Sequence, residues 1–298
     1  MTRARIGFIG LGLMGGAMVS RLQDLGYPVT LVANRSRAAI DAAVARGATE
    51  VTTARDLAAA SDIVMLCMDT SDSVESRMRG ADGVIAGLND GAVVIDFGTS
   101  LPGSTRTLGA EVAAAGGTYL DAPLGRTPAH ALDGQLNIMT SGDADAFARV
   151  QPVLQDLGEN VFHLGALGTG HTIKLLNNFF GMTVANAMSE AFAVADATGV
   201  DRKALYDVMA AGPLRSGMMD FVAAYALDGD DSKLAFAIKN ARKDVGYYRQ
   251  MTTDAGLASV MSEGAFGGLS RATEAGQADD HVCKMVDFYA KTLGTTQD

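Results

Sequence analysis

Ile6-Gly7-Phe8-Ile9-Gly10-Leu11-Gly12-Leu13-Met14-Gly15 is the stretch that decides the reading of this chain: an apolar strand runs into a glycine turn and out into a helix. Gly10 permits the tight turn, Gly12 lets the backbone approach a pyrophosphate, and Gly15 lets the helix pack close to the strand. Leu13 and Met14 then lie at the start of that helix, where unpaired N–H groups and the positive dipole end face an anion. Glycine turns are common. This one follows an apolar strand and opens a helix, and that context makes it a dinucleotide-binding turn.

Outward from that turn, short β-rich runs alternate with alanine-rich helical runs. Strands are expected at 5–9, 29–33, 63–68, 92–96, 119–121, 137–141 and 161–163, and helices at 37–46, 54–60, 104–115 and 144–157. Such alternation predicts an α/β fold with a mostly parallel, doubly wound sheet, as in a Rossmann domain. The pattern changes at the glycine-rich joint Gly165-Ala166-Leu167-Gly168-Thr169-Gly170. Beyond it, Leu175, Phe179, Met182, Ala185 and Met188 recur at helical spacing. The expectation is a dinucleotide-binding domain over 1–165 and an all-helical C-terminal domain over 166–298, for substrate binding and oligomerisation. A long helix is expected over 172–198 and a last helix ending near Leu293.

Composition narrows the function. A length of 298 residues suits one large or two medium domains. The net charge of −10 argues against a nucleic-acid or anionic-membrane surface, yet leaves room for a local cationic pocket for a small anion. Cys67 and Cys283 stand far apart and without metal-site spacing, which suggests a reducing, cytoplasmic setting and no disulfide framework. His130, His163, His171 and His281 form no local cluster, so no metal is expected. The chain enters a strand at once, without a basic–apolar–cleavage pattern, so no secretory signal is expected. The most apolar stretch, 179–197, is broken by Asn186 and Glu190 and reads as a buried helix, not a membrane span.

The second strand is followed by Ala33-Asn34-Arg35-Ser36. A carboxylate here would bond the adenine ribose of NAD, whereas an arginine accommodates the 2′-phosphate of NADP. No carboxylate is present. Arg35 can fork onto a phosphate, with Asn34 and Ser36 adding neutral hydrogen bonds. NADP(H) is therefore the expected cofactor, with NAD as the alternative.

The next informative run is Gly168-Thr169-Gly170-His171-Thr172-Ile173-Lys174-Leu175-Leu176-Asn177-Asn178. Lys174 and Asn178 are four apart and share a helix face. An amine held partly out of water gives up its proton more readily, so Lys174 reads as a general acid/base, against the commoner fate of a snorkelling lysine. With the glycine turn, the run Asp121-Ala122-Pro123-Leu124-Gly125-Arg126-Thr127 and the pair Lys243-Asp244, this segment resembles the β-hydroxyacid dehydrogenases, the group of 3-hydroxyisobutyrate dehydrogenase and tartronate semialdehyde reductase. The likeness covers essentially the whole chain, with the blocks in order.

That resemblance implies roles. Lys174 is the acid/base, Asn178 holds substrate and helps place Lys174, and Asn177 lies beside it. Lys243 lies near the nicotinamide, and Met68 and Thr99 touch the cofactor. The family usually has Ser where Gly98 stands. It also implies a homodimer or homotetramer formed through the helical domain. At 125–127 most members have Ser-Gly-Gly, whereas this chain has Gly125, Arg126 and Thr127. The added guanidinium suits a strongly ionised group such as a sulfonate, although a carboxylate would also serve; the alternative is a loop arginine paired to a neighbouring acid. The variant looks like the 3-sulfolactaldehyde reductase branch, which tends to have Ser where Gly181 stands. Dehydrogenases of 3-hydroxyisobutyrate, 4-hydroxybutyrate or tartronate semialdehyde type are the alternatives. Further ones are a cofactor-binding module and an imine reductase, although imine reductases usually lack the lysine.

Overall fold

Six short strands of the first half pair side by side, all in parallel. In chain order the elements are β1 (Ile6–Ile9), α1 (Leu13–Asp24), β2 (Val29–Val32), α2 (Arg37–Ala45), β3 (Thr49–Val51), α3 (Ala54–Ala59), β4 (Ile63–Leu66), α4 (Ser71–Met78), β5 (Val93–Asp96), α5 (Pro102–Ala114) and β6 (Thr118–Asp121). The sheet order is β3-β2-β1-β4-β5-β6, with Ile6 registered against Val29 on one side and Ile63 on the other. These residues belong to a computed structural model that describes residues 3–33 and 37–293.

The pleat explains why the central strands are apolar throughout. Ile6, Phe8, Met65 and Ile95 pack into one core, while Ile9, Val64, Leu66 and Val94 pack into another on the opposite face. Burying a side chain the size of Phe8 contributes about 1.5–3 kcal/mol. Helix starts are set by side-chain caps: Thr53 accepts from Asp56 N, and Thr70 from Ser73 N.

The chain then forms β7 (Leu124–Gly125), α6 (Pro128–Leu132), β8 (Leu136–Thr140), α7 (Ala144–Leu157) and β9 (Gly158–His163). β7, β8 and β9 make a separate three-stranded sheet in which β7 runs antiparallel to β8. The strands expected near 137–141 and 161–163 therefore belong to this small sheet and do not extend the parallel one. β3 and β7 lie outside the expected strands. β3 has two exposed residues in three, and β7 is two residues long, so neither carries a readable apolar pattern.

The remaining elements are helical: α8 (Thr169–Thr198), α9 (Arg202–Ala210), α10 (Gly217–Asp228), α11 (Ile238–Asp254), α12 (Ser262–Ala272) and α13 (Met285–Thr292). The chain divides into two compact units, one ending at Lys174 and one starting at Leu175, so the boundary falls inside α8. The core of the second unit is built from Met182, Met188, Phe192, Val245, Leu269 and Val286 among others. α8 starts at Thr169, three residues before the expected Thr172. Within 179–197, expected as a buried helix, Met182, Met188 and Phe192 are buried, but Phe180 is 68% and Val194 49% exposed. Among the described residues, no helix is long and apolar enough to cross a membrane, and no group of three or more His, Cys, Asp or Glu could hold a metal ion.

Candidate active site

The glycine turn after β1 sits at the point where the sheet order reverses between β1 and β4, the place where open α/β sheets take ligands. Gly10 has φ +101, and a Cβ there would lie 2.3 Å from the Cys67 carbonyl oxygen, just past β4, and 3.1 Å from the Met68 sulfur. A Cβ on Gly15 would lie 2.0 Å from the Gly10 carbonyl, so the α1 backbone presses directly on the turn. Gly12 differs: a Cβ there would have no atom within 4 Å. Gly12 is also the N-cap of α1, with no side-chain cap and no acid in the first turn. Leu13 is 87% exposed, and Met14 is half-buried. An open backbone, an uncapped helix N-terminus and a positive dipole end fit a pyrophosphate.

Asn34, Arg35 and Ser36 lie outside the described residues. The next residue, Arg37, is held by protein acids, with hydrogen bonds of 2.5 and 2.8 Å to Glu50 and 2.8 Å to Asp41. Met68 and Thr99 are both half-buried, beyond the C-terminal ends of β4 and β5. A side chain at Gly98 would meet the Met68 carbonyl at 2.9 Å and Asp96 Oδ1 at 3.0 Å, so this backbone has closed over the space a serine would need.

Lys174 is half-buried in the second turn of α8, and its Nζ donates to the Leu124 carbonyl at 2.8 Å. The structure thus brings the lysine onto the strand that opens the Gly125–Thr127 loop. A Cβ on Gly125 would sit 3.3 Å from Asn137 Cβ. Arg126 has φ +77, the one described non-glycine residue in the left-handed region. Its guanidinium donates to the Gln135 carbonyl at 2.7 Å and pairs with Glu159 of β9. Thr127 Oγ1 bonds His130 Nδ1 at 2.7 Å. The loop therefore satisfies its arginine internally. That pair is partly solvent-exposed, and such pairs contribute about 0–1 kcal/mol, so a ligand anion can compete with Glu159.

Farther along α8, Asn177 is exposed and Asn178 buried. Asn178 Nδ2 donates to Asp244 Oδ2 at 2.6 Å, and Asn177 Nδ2 reaches Asn178 Oδ1 at 3.3 Å. Lys243 Nζ lies 2.9 Å from Asp244 Oδ1 and 5.2 Å from the Tyr247 ring centroid. Asp244 thus ties the amide of Asn178 to the ammonium of Lys243 across α8 and α11. Gly181 faces Met218, whose methyl would be 3.2 Å from a Cβ at 181.

Within the first unit, a buried polar group gathers at the ends of β5 and β6. Asp96 accepts from Gly98 N and Ser100 Oγ, both at 2.8 Å. Asp121 Oδ1 accepts from Gly168 N at 2.8 Å and from Ser141 Oγ, and Asp121 Oδ2 from His171 N at 2.7 Å. His171 Nδ1 is 2.7 Å from Thr105 Oγ1. Burial, helped by the charges of Asp96 and Asp121, pushes the Tyr119 phenol well above its ordinary value. An aspartate ending each of β5 and β6 was the only available signal, and these partners lie up to 50 residues away.

Comparison with known proteins agrees with this fold. Residues 5–165 match the NAD binding domain of 6-phosphogluconate dehydrogenase, and residues 168–289 match the NAD-binding domain of NADP-dependent 3-hydroxyisobutyrate dehydrogenase. The chain is 34% identical to the NAD-dependent L-serine dehydrogenase of Pseudomonas aeruginosa, over 69% of this chain and 68% of that one. It is 32% identical to the 3-sulfolactaldehyde reductase of Escherichia coli (strain K12), over 82% and 81%. Among solved structures, Psf3 in complex with NADP+ and 2-OPP superposes with a TM-score of 0.83 at 27% identity, covering 95% of this chain and 99% of that one. On these matches and this fold, the chain belongs to the β-hydroxyacid dehydrogenases, oxidoreductases that use NAD(P) and act on a CH–OH group.

Proposed function

We propose that this dehydrogenase interconverts a small aldehyde bearing a carboxylate or sulfonate with the corresponding alcohol, prefers NADP(H) to NAD(H), and uses Lys174 as its acid/base. The observation that carries the reading is the half-buried Lys174 ammonium held on the Leu124 carbonyl, beside the Gly125–Thr127 loop. NADPH, held by the Gly10–Gly15 turn, would supply the hydride. In reduction, Lys174 donates a proton from Nζ to the oxygen of the former carbonyl group. In oxidation, neutral Nζ takes the hydroxyl proton. The Gly125–Thr127 loop receives the anionic end of the substrate, through its amides and through Arg126 once Glu159 is displaced. On the second unit, Asn178 is proposed to face substrate, with Asn177 beside it, and Lys243 to face the nicotinamide.

Arg126 favours the sulfonate branch, as does 32% identity to a 3-sulfolactaldehyde reductase. The 2-(hydroxymethyl)glutarate dehydrogenase of Eubacterium barkeri is also 32% identical, so carboxylates belong in the same test. The deciding experiment is a panel of sulfolactaldehyde and of succinic, tartronic and methylmalonic semialdehydes, each with NADPH and NADH. Arg126→Ala is expected to lower kcat/KM for anionic aldehydes about tenfold or more, the worth of one charge-assisted hydrogen bond, and to leave a neutral aldehyde within about twofold. Equal losses on both would remove Arg126 from the anion site.

The run Asn34-Arg35-Ser36 supports NADP(H). With NADPH and NADH compared at one substrate, kcat/KM is expected to favour NADPH by more than about tenfold, and Arg35→Ala to erase most of that ratio. An unchanged ratio in Arg35→Ala would count against this residue. Leu176, Phe180 and Val194 leave an exposed apolar stripe on α8, to which we assign the contact of a homodimer or homotetramer. The two cysteines, free among the described residues, suit a cytoplasmic location.

A further inference from the structure

We infer that Asp121 is a positioning residue for Lys174, an inference that rests on the acid/base reading of that lysine. The first turn of α8 is not capped by its own sequence. Its N-cap position is Gly168, at φ +91, which has no side chain to offer. The acceptors come from the strands. Asp121, fully buried at the end of β6, takes Gly168 N and His171 N on its two carboxylate oxygens at 2.8 and 2.7 Å. Ser141, also fully buried, donates its hydroxyl to Asp121 and accepts from Gly170 N at 2.9 Å. Gly170 is glycine for the same reason: a Cβ there would be 2.2 Å from the Met139 carbonyl oxygen and 2.8 Å from Asp121 Oδ2.

Three residues after Asp121, the same segment presents the Leu124 carbonyl to Lys174 Nζ. Three residues after His171, whose N–H is fixed by Asp121, the helix presents Lys174. One short stretch, 121–124, thus grips the helix backbone at one end and the amine at the other. The register between the two grips sets where Nζ points. Charge helps as well, since a carboxylate at the positive end of a helix is held more firmly than a neutral group. An amide in its place has one acceptor oxygen and would turn an N–H toward a backbone N–H.

The test uses the full chain. Asp121→Asn is expected to lower kcat about 10- to 100-fold, the cost of misplacing a reacting group by about an ångström, with KM for NADPH within about twofold. A merely structural role would spoil cofactor binding and turnover together. In a Lys174→Ala background, Asp121→Asn is expected to change the residual rate by less than about twofold, because there is no amine left to misplace. Ser141→Ala keeps the carboxylate and is expected to cost kcat several-fold at unchanged KM for NADPH; it decides the matter if Asp121→Asn does not fold. Full kcat in a folded Asp121→Asn enzyme, or in Ser141→Ala where the other does not fold, overturns the inference. So does an equal loss with and without Lys174. A Lys174→Ala enzyme with full turnover would sink the acid/base reading and this one with it. Loss in Lys174→Ala without coupling would sink this one alone.

Discussion

Lys174→Ala is expected to cut turnover roughly 10²–10⁴-fold while changing NADPH affinity by less than about threefold. The amine is supported independently of the glycine turn. Its hydrogen bond goes to Leu124 O, and the helix carrying it is tied to Asp121 and Ser141. Removing the side chain beyond Cβ leaves these backbone ties in place, so the fold and the pyrophosphate turn should survive. Lys174→Arg sharpens the point. It keeps a positive charge and hydrogen-bond donors but does not release a proton near neutral pH, so it should fail to restore turnover in either direction. Steady-state kinetics, with NADPH fluorescence titration for affinity, measure both. Near-normal turnover in Lys174→Ala would take the proton-transfer role away from this residue.

The second large effect separates two glycines of one turn. Gly15→Ala puts a methyl 2.0 Å from the Gly10 carbonyl and 3.0 Å from the Phe8 ring, inside a packed core. Overpacking of this kind costs about 1–3 kcal/mol or more, so melting temperature and NADPH binding should fall together. Gly12→Ala puts its methyl into open space, with no protein atom within 4 Å. Melting temperature should barely move, yet NADPH affinity should drop about 10- to 100-fold, because the added group occupies the approach of the pyrophosphate. Thermal melts and fluorescence titrations on the two variants check the contrast. Undiminished NADPH affinity in Gly12→Ala would mean that the cofactor does not approach this turn.

Much of this architecture was legible because it rests on local signals. β1, β4 and β5 are buried on both faces, so their apolar runs stood out, and Gly10, Gly12 and Gly15 declared the turn by their spacing between an apolar strand and a helix. The place of Lys174 in an apolar helix after a glycine joint was also legible. What stayed hidden depends on residues far apart in the chain. The cap of α8 comes from Asp121, 47 and 50 residues before the groups it binds. The three-stranded sheet depends on a two-residue β7. The engagement of Arg126 by Glu159 depends on that sheet bringing β9 alongside, and no spacing in the sequence reports it.

Arg126 itself has a longer consequence. An L-residue at φ +77 carries a conformational cost of about 1–2 kcal/mol that glycine would not. The main chain at this corner is therefore already glycine-shaped. Exchanging the side chain there alters the charge offered by the loop without asking the backbone to bend differently, and without disturbing the supports of the lysine two residues before it on Leu124. On the function proposed above, substrate preference in such a scaffold is free to diverge one codon at a time while the hydrogen bond of Lys174 to Leu124 stays fixed.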